Sequence, residues 1–414
     1  MKRSVLAPFS VKSYRYQWPA DLAASWAFEM EVLILGWFVL VESGSVFLLV
    51  VYGSLQFIGA LICPFIGVLG DRWGYKTLFL FMRTVFVLVS VLLLTLAAFE
   101  ALTPMLVISL AVIVGLLRPA DITIRFALIG QALPANQLVG ALGISRITVD
   151  SARMVGALAG VGIFAAFGLV VAYVMITTLY LACLLLSFGV APADRQLLAS
   201  RAPSSPLQDL SQGIKYVYAK PELVGTTSLA FWINIFAYPI GLGLLPFIAN
   251  NVYQAPQAML GYLGAAYAFG SLIGSLVVSS NRLAMGSGRL MIVSAAIWFA
   301  LGIVFAFNEI SSVGIVFLVL MGFFQSLCVT PLLAVMLQST DPIYRGRVMG
   351  IRILAILGLP IGLMLSGPLI ESIGFAATIS LYSLIGMLGA LSMIRIWNLQ
   401  LWAKSAPANQ SQTM

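Results

Sequence analysis

The sequence predicts an all-α membrane protein in which twelve transmembrane helices form two pseudo-symmetric six-helix bundles. Three observations predict it: the composition, the length of the apolar runs, and the sign of the charges between them. Of 414 residues, 61% are hydrophobic and 9% are charged. An ordinary soluble domain carries about 25% charged residues, and a chain this apolar cannot cover its surface in water. Lipid is the remaining solvent. Inside lipid only helices and closed barrels satisfy their backbone. Barrel strands alternate polar and apolar positions, whereas the runs here are continuous and about 20 residues long, the length of a spanning helix.

In chain order the spans read 19–41, 46–69, 78–98, 104–127, 141–167, 170–190, 224–247, 258–280, 290–307, 313–337, 348–370 and 376–396. The charges between them test that count. The tails and the connections on their side hold Lys2, Arg3, Arg72, Lys76, Arg195, Lys215, Arg282, Arg345 and Lys404, among others. The opposite connections hold no Lys or Arg and carry Glu42, Glu100, Glu309 and Glu371. A wrong count would scatter the signs. Basic residues mark the cytoplasmic side, so the expectation is a multi-pass protein of the plasma (inner) membrane with both termini in the cytoplasm. Residues 1–18 are basic and aromatic without an apolar core, unlike a cleavable leader. The net charge of +8 is this bias together with attraction to anionic lipid, not a nucleic-acid site.

Residues 191–223 form the one sizeable connection, rich in Ala, Pro, Ser and charge. Within it Leu207, Leu210, Ile214 and Val217 recur at helical spacing, predicting an amphipathic helix on the membrane face. The domains are therefore an N-terminal bundle (1–190), this linker, a C-terminal bundle (224–396) and a tail (397–414). A weak repeat supports the halves. Asp71-Arg72 is echoed by Asn281-Arg282 at an offset of 210, and Gly143-Ile144-Ser145-Arg146 by Gly350-Ile351-Arg352 at 207. Parallel duplication with a site near midplane between the halves is a transporter architecture.

Several chemistries are excluded. There is no histidine, and the three cysteines, Cys63, Cys183 and Cys328, lie far apart in apolar runs. No metal, disulfide or other cofactor is expected, and proton traffic would fall to carboxylates. No Gly-rich nucleotide loop with its Lys is present, which argues against ATP-driven pumping. An enzyme would need a nucleophile–base pair or metal ligands. A channel would need a symmetric charged ring, which two unequal halves do not make.

Residues 67–76, GVLGDRWGYK, resemble the loop signature of the major facilitator superfamily between its second and third spans, with Gly67, Asp71, Arg72, Gly74 and Lys76 fitting. Residues 209–223 (DLSQGIKYVYAKPEL) and 342–350 (PIYRGRVMG) resemble segments of its drug and siderophore exporter branch. Gly156-Ala157-Leu158-Ala159-Gly160 departs from the exporter pattern, with Ala157 where Pro is usual. The resemblance implies alternating access, efflux, and a cavity ringed by spans 1, 4, 7 and 10 with span 5 adjoining. It also implies that Asp71 faces the N-terminus of span 11, where a helix dipole favours an anion. Gly67, Asp71, Arg72, Gly74 and Lys76 would then form a latch between the halves.

The charges inside the spans are the candidate substrate and proton pathway: Glu29 and Glu31 in span 1, Arg118, Asp121 and Arg125 in span 4, and Asp150 and Arg153 in span 5 with Arg146 before them. An intramembrane charge costs at least ~2.5–3.5 kcal/mol, so such groups must face protein or water. Glu29 lies about 15 Å and Arg153 about 18 Å from the tail-side ends of their spans. Arg118, Asp121 and Arg125 share one helix face, as do Arg146, Asp150 and Arg153. A structural network pinning spans 4 and 5 is the other reading of Asp121, Arg125, Arg146 and Asp150. Glu29 and Glu31 point about 200° apart, so only one faces a cavity squarely; Glu29 shares a face with Asp21 and Ser25 and is preferred. Spans 7 and 10 add the milder Asn234 and Gln325. Gly156 with Gly160, and Ala266 with Gly270 and Gly274, are expected to pack the halves together. Pro239 and Pro360 are expected to kink spans 7 and 11.

These readings converge on a secondary transporter that exports a small organic molecule by coupling to a proton gradient, for which a monomer suffices. An uptake permease or an uncoupled facilitator is the alternative.

Overall fold

The structure is a computed structural model that describes residues 7–63, 66, 69–70, 73–191, 206–279, 287–341 and 344–397. Gly67, Asp71 and Arg72 of the loop signature lie outside the described residues, as does the side chain of Arg146. The first half of the chain contains α1 (Lys12–Ser43), α2 (Val46–Leu55), α3 (Tyr75–Ala98), α4 (Pro104–Ala132), α5 (Ala135–Val155) and α6 (Val161–Ser187). The linker helix is α7 (Pro206–Tyr218). The second half contains α8 (Pro221–Phe236), α9 (Tyr238–Leu242), α10 (Leu245–Phe247), α11 (Gln257–Ser279), α12 (Ser287–Ala306), α13 (Ser311–Gln338), α14 (Arg345–Ala355), α15 (Gly358–Ile373) and α16 (Phe375–Ile396).

Among the described residues nine helices are long and apolar enough to cross a membrane. That number is consistent with twelve spans. One of the nine, residues 143–187, leaves helical geometry at Gly168, where φ is 82°. A positive φ suits glycine, which has no Cβ to clash, and this residue separates spans 5 and 6. Span 2 is a shorter apolar helix, and span 7 is divided among α8, α9 and α10. The division of span 7 falls beside Pro239, and span 11 breaks between Ala355 and Gly358, two residues before Pro360. Each ring removes a backbone donor at the break. Span 1 begins at Lys12 rather than near residue 19, with Pro19 inside α1.

Large apolar side chains such as Leu88, Phe167 and Leu185 face outward, as lipid requires. Within the first half α1 packs on α6, α5, α2 and α4, and α3 packs on α6. Within the second, α13 packs on α11 and α12, and α16 on α12. The halves meet along two seams, α2 against α15 and α5 with its following turn against α11. A Cβ on Gly261 would stand 2.7 Å from the Ala157 carbonyl oxygen, and one on Gly264 would stand 3.1 Å from the Ala157 Cβ, so these glycines set the second seam. The expected inter-half stripes do something else. Gly156 and Gly160 meet Glu29 and Met30 of α1, and Gly270 and Gly274 meet Val319 and Phe323 of α13. Both stripes close contacts inside one half, because each faces its own neighbour rather than the partner bundle.

At the end that carries the acidic connections, the Phe47 N–H at the start of α2 donates to the Glu371 carboxylate at 3.3 Å. Further in, Ser54 Oγ donates to the Pro360 carbonyl at 3.3 Å. The halves are closed on each other there. At the opposite end, α7 docks beside α14. Tyr216 donates to Asp341 at 2.7 Å, Lys220 donates to Asp341 at 3.3 Å, and Tyr216 stacks on Tyr344 at 4.1 Å.

Candidate functional site

The intramembrane charges sort into three groups. The first is sealed. Arg83 of α3, with a side chain 1% exposed, donates to Asp121 at 2.8 Å and to Asp21 at 2.9 Å. It also donates to the Ala20 carbonyl at 3.2 Å and contacts the Cys183 sulfur, with its guanidinium over the Phe79 ring. Arg125 reaches Asp21 at 3.2 Å, Asp121 at 3.4 Å and Ser25 at 3.4 Å. Two arginines meet two aspartates, so the formal charge cancels. The network ties α1, α3 and α4, with Asp121 turned toward Arg83.

The second group is open. Glu29 of α1 lies 3.9 Å from Arg118 of α4 and 3.8 Å from Arg153 of α5, with side chains 20%, 21% and 29% exposed. Local sequence builds this meeting. Gly156 stands so near Glu29 that an added Cβ would lie 2.8 Å from the Glu29 Cβ, so α5 can approach α1 closely. A π-helical turn, Gly156–Gly160, begins three residues after Arg153; such turns hold one extra residue and mark functional stretches of a helix. Arg118 lies over the Phe28 ring. Neither ion pair is short enough for a hydrogen bond, and Arg153 Nε is buried with no hydrogen-bond acceptor among the described residues. One carboxylate stands between two guanidiniums. Asp150, one turn from Arg153, is buried and acts on it electrostatically.

Groups of the second half face this place. Tyr238 and Tyr267 lie close enough to Arg153 to interact with it electrostatically. Gln325 donates to the Tyr238 hydroxyl at 2.8 Å, and among the described residues neither its own buried carbonyl oxygen nor the buried Tyr267 hydroxyl has a hydrogen-bond partner. Asn234 instead donates to its own helix at Ala230, 2.7 Å away, and is 9% exposed.

The third group surrounds Glu31, 5% exposed and turned into the first half. Tyr180 donates to it at 2.8 Å and Tyr173 at 3.4 Å, both from α6, while Tyr52 of α2 donates to its backbone carbonyl at 3.5 Å. Of the loop signature, Gly74 takes a φ of 86° before α3. Lys76 donates to the Phe188 carbonyl at 3.0 Å, a cation at the C-terminal end of α6.

Sequence reasoning missed Arg83 and the tyrosines around Glu31. A single Arg near the basic end of an apolar span reads as ordinary charge bias. The only signal for the tyrosines is that Tyr173 and Tyr180 are seven residues apart, on one helix face.

A comparison with curated protein sequences finds no match. Solved structures share the fold at low identity. The nucleoside transporter NupG has a TM-score of 0.73 at 12% identity, over 92% of this chain and 98% of that one. The POT family transporter PepTSo has 0.72 at 12%, over 93% and 97%. The human organic anion transporter MFSD10 has 0.65 at 16%, over 92% and 99%. The family model described as transmembrane secretion effector matches residues 3–413. The fold is the major facilitator fold, and a membrane-embedded carrier of small molecules, rather than an enzyme, is what these similarities support. This chain belongs to the transmembrane secretion effector family of major facilitator transporters.

Proposed function

We propose that the protein is an alternating-access exporter of a small organic molecule with an anionic group, coupled to a proton gradient across the plasma (inner) membrane. One observation carries the reading: Glu29, Arg118 and Arg153, from three helices, converge within 4 Å at partly exposed positions beside polar groups of the other half. Two guanidiniums held by one carboxylate at long range have donors to offer an incoming carboxylate or phosphate, and Arg suits bidentate capture of such groups. Gln325 and Tyr238 supply neutral contacts from the second half. Asp121 and Arg125 belong to the supporting frame rather than to the pathway, and Asn234 to helix packing.

In this reading residues 1–190 and 224–396 are the two moving units, 191–223 joins them, and 397–414 is a tail. Both termini are cytoplasmic. The contacts of Phe47 with Glu371 and of Ser54 with Pro360 then close the outer side. Gly67, Asp71 and Arg72 would latch the inner side, while Gly74 shapes the turn beside them. A monomer suffices, with lipid as the only other partner.

Transport in proteoliposomes, with and without an imposed pH gradient, tests the reading on a panel pairing organic carboxylates with their neutral amides. Gradient-driven movement of the carboxylates that Arg153→Met slows about tenfold or more is expected. In cells, deletion raises the internal level of the transported compound for an exporter and lowers it for an importer.

A further inference from the structure

Glu29 and Glu31 sit two residues apart on α1 and live in opposite chemical surroundings. Guanidiniums only donate, so the setting of Glu29 satisfies the carboxylate and offers nothing to a carboxylic acid. A phenol both donates and accepts. Tyr180 and Tyr173 can donate to Glu31 when it is ionised, and their oxygens can accept from it when it is protonated. Among the described residues Glu31 has no ion pair within 4 Å. The groups facing it are Tyr52 and Gln56 from α2, Arg118 from α4, electrostatically, and Tyr173 and Tyr180 from α6; α3 presents only Val89 and Leu93. Glu31, Tyr52 and Gln56 are the polar residues lining a small, mostly apolar cavity inside the first half.

We infer that Glu31, not Glu29, binds and releases the coupling proton, in a site inside the first bundle that is separate from the anion site. The inference rests on the proton-coupled reading above. One proton from water on one side adds to the carboxylate, making the acid; the acid returns that proton to water on the other side, restoring the carboxylate. No other bond changes. The position explains how this reaches the substrate. Tyr52, bonded to the Glu31 carbonyl, belongs to α2, whose next turn carries Gly53 against Leu363 and Ser54 against Pro360 in the seam with α15. Glu31 itself lies on the helix that holds Glu29. A rearranged hydrogen-bond set at Glu31 therefore acts on one seam between the halves and on the anion site together.

The test is infrared difference spectroscopy of the full-length protein in liposomes, titrated with pH and with no substrate added. The expected result is a C=O band of a protonated carboxylic acid that appears on acidification, disappears in Glu31→Gln and persists in Glu29→Gln. Tyr180→Phe keeps the carboxyl and removes its nearest donor, so the band must shift in frequency there. No such band in the wild type, a band lost in Glu29→Gln and kept in Glu31→Gln, or a band unmoved by Tyr180→Phe overturns the assignment. Because substrate is absent, failure of the transport experiment leaves this result standing, and failure here leaves transport by the anion site untouched.

Discussion

The Arg83 network and the Glu29 site are built from the same parts, acids and arginines on neighbouring helices, yet they differ in every measure of closure. Around Arg83 the contacts run from 2.8 to 3.4 Å, the side chains are 1–9% exposed, and two positive charges meet two negative ones. Around Glu29 the pairs are 3.8 and 3.9 Å long, the side chains are 20–29% exposed, and one carboxylate is shared at long range by two guanidiniums. An ion network pins helices when its contacts are short and sealed. It can serve a ligand when they are long and open. Intramembrane charge alone does not tell the two apart; exposure and distance do.

Removing one member of each group tests this contrast. Arg83→Met leaves Asp21 and Asp121 buried with Arg125 alone, and breaking a buried pair costs about 3–5 kcal/mol. The expected outcome is a large loss of folded protein in thermal unfolding or size-exclusion measurements in detergent. Arg153→Met is expected to cost clearly less stability than Arg83→Met, because its pair with Glu29 is long and partly exposed, while transport falls about tenfold or more, the worth of one charge-assisted hydrogen bond. Equal destabilisation by the two variants would break the comparison.

Gly156→Ala sharpens it with a smaller effect. The new methyl meets the Glu29 Cβ at 2.8 Å, so α1 and α5 must part by a few tenths of an ångström. Transport is expected to drop severalfold with a melting temperature lowered by only a few degrees, about 1 kcal/mol for a chain of several hundred residues.

The smallest effect belongs to the linker. A hydrogen bond from Tyr216, then one from Lys220, holds the Asp341 carboxyl below its ordinary value of 3.8. A depressed folded value means that docking of α7 is favoured above that pH and is lost as pH falls through the lower, folded value. Spin labels at Ser211 and Gln338 should report a fixed distance near neutrality that broadens in Asp341→Asn, with little change in stability. An unchanged distribution would mean that stacking of Tyr216 on Tyr344 suffices.

Much of the architecture was legible because lipid imposes simple rules on sequence. Apolar runs located the spans, and Gly168 separates two of them where the sequence places the break. Glu29, Arg118 and Arg153 stood out because depth makes charge costly. What stayed hidden depends on how helices face each other. The spacing of Asp121 and Arg125 identifies a face but not the helix it meets, so Arg83 went unread. Gly156 looked like a contact between halves because a small residue shows that something is close, not what.

The π-turn beyond Arg153 gives α5 one residue more than a regular helix would hold over that stretch. Because the wide turn already absorbs that residue, excising it there would heal the spiral and leave the flanks nearly in their present rotational register, whereas the same deletion in a regular stretch of helix turns everything before it by about 100° relative to everything after. The span would still cross the bilayer in either case. The turn is thus a place where the cavity wall can lose a residue without re-aiming Arg153, and a deletion between Arg153 and the turn is the one that aims it elsewhere.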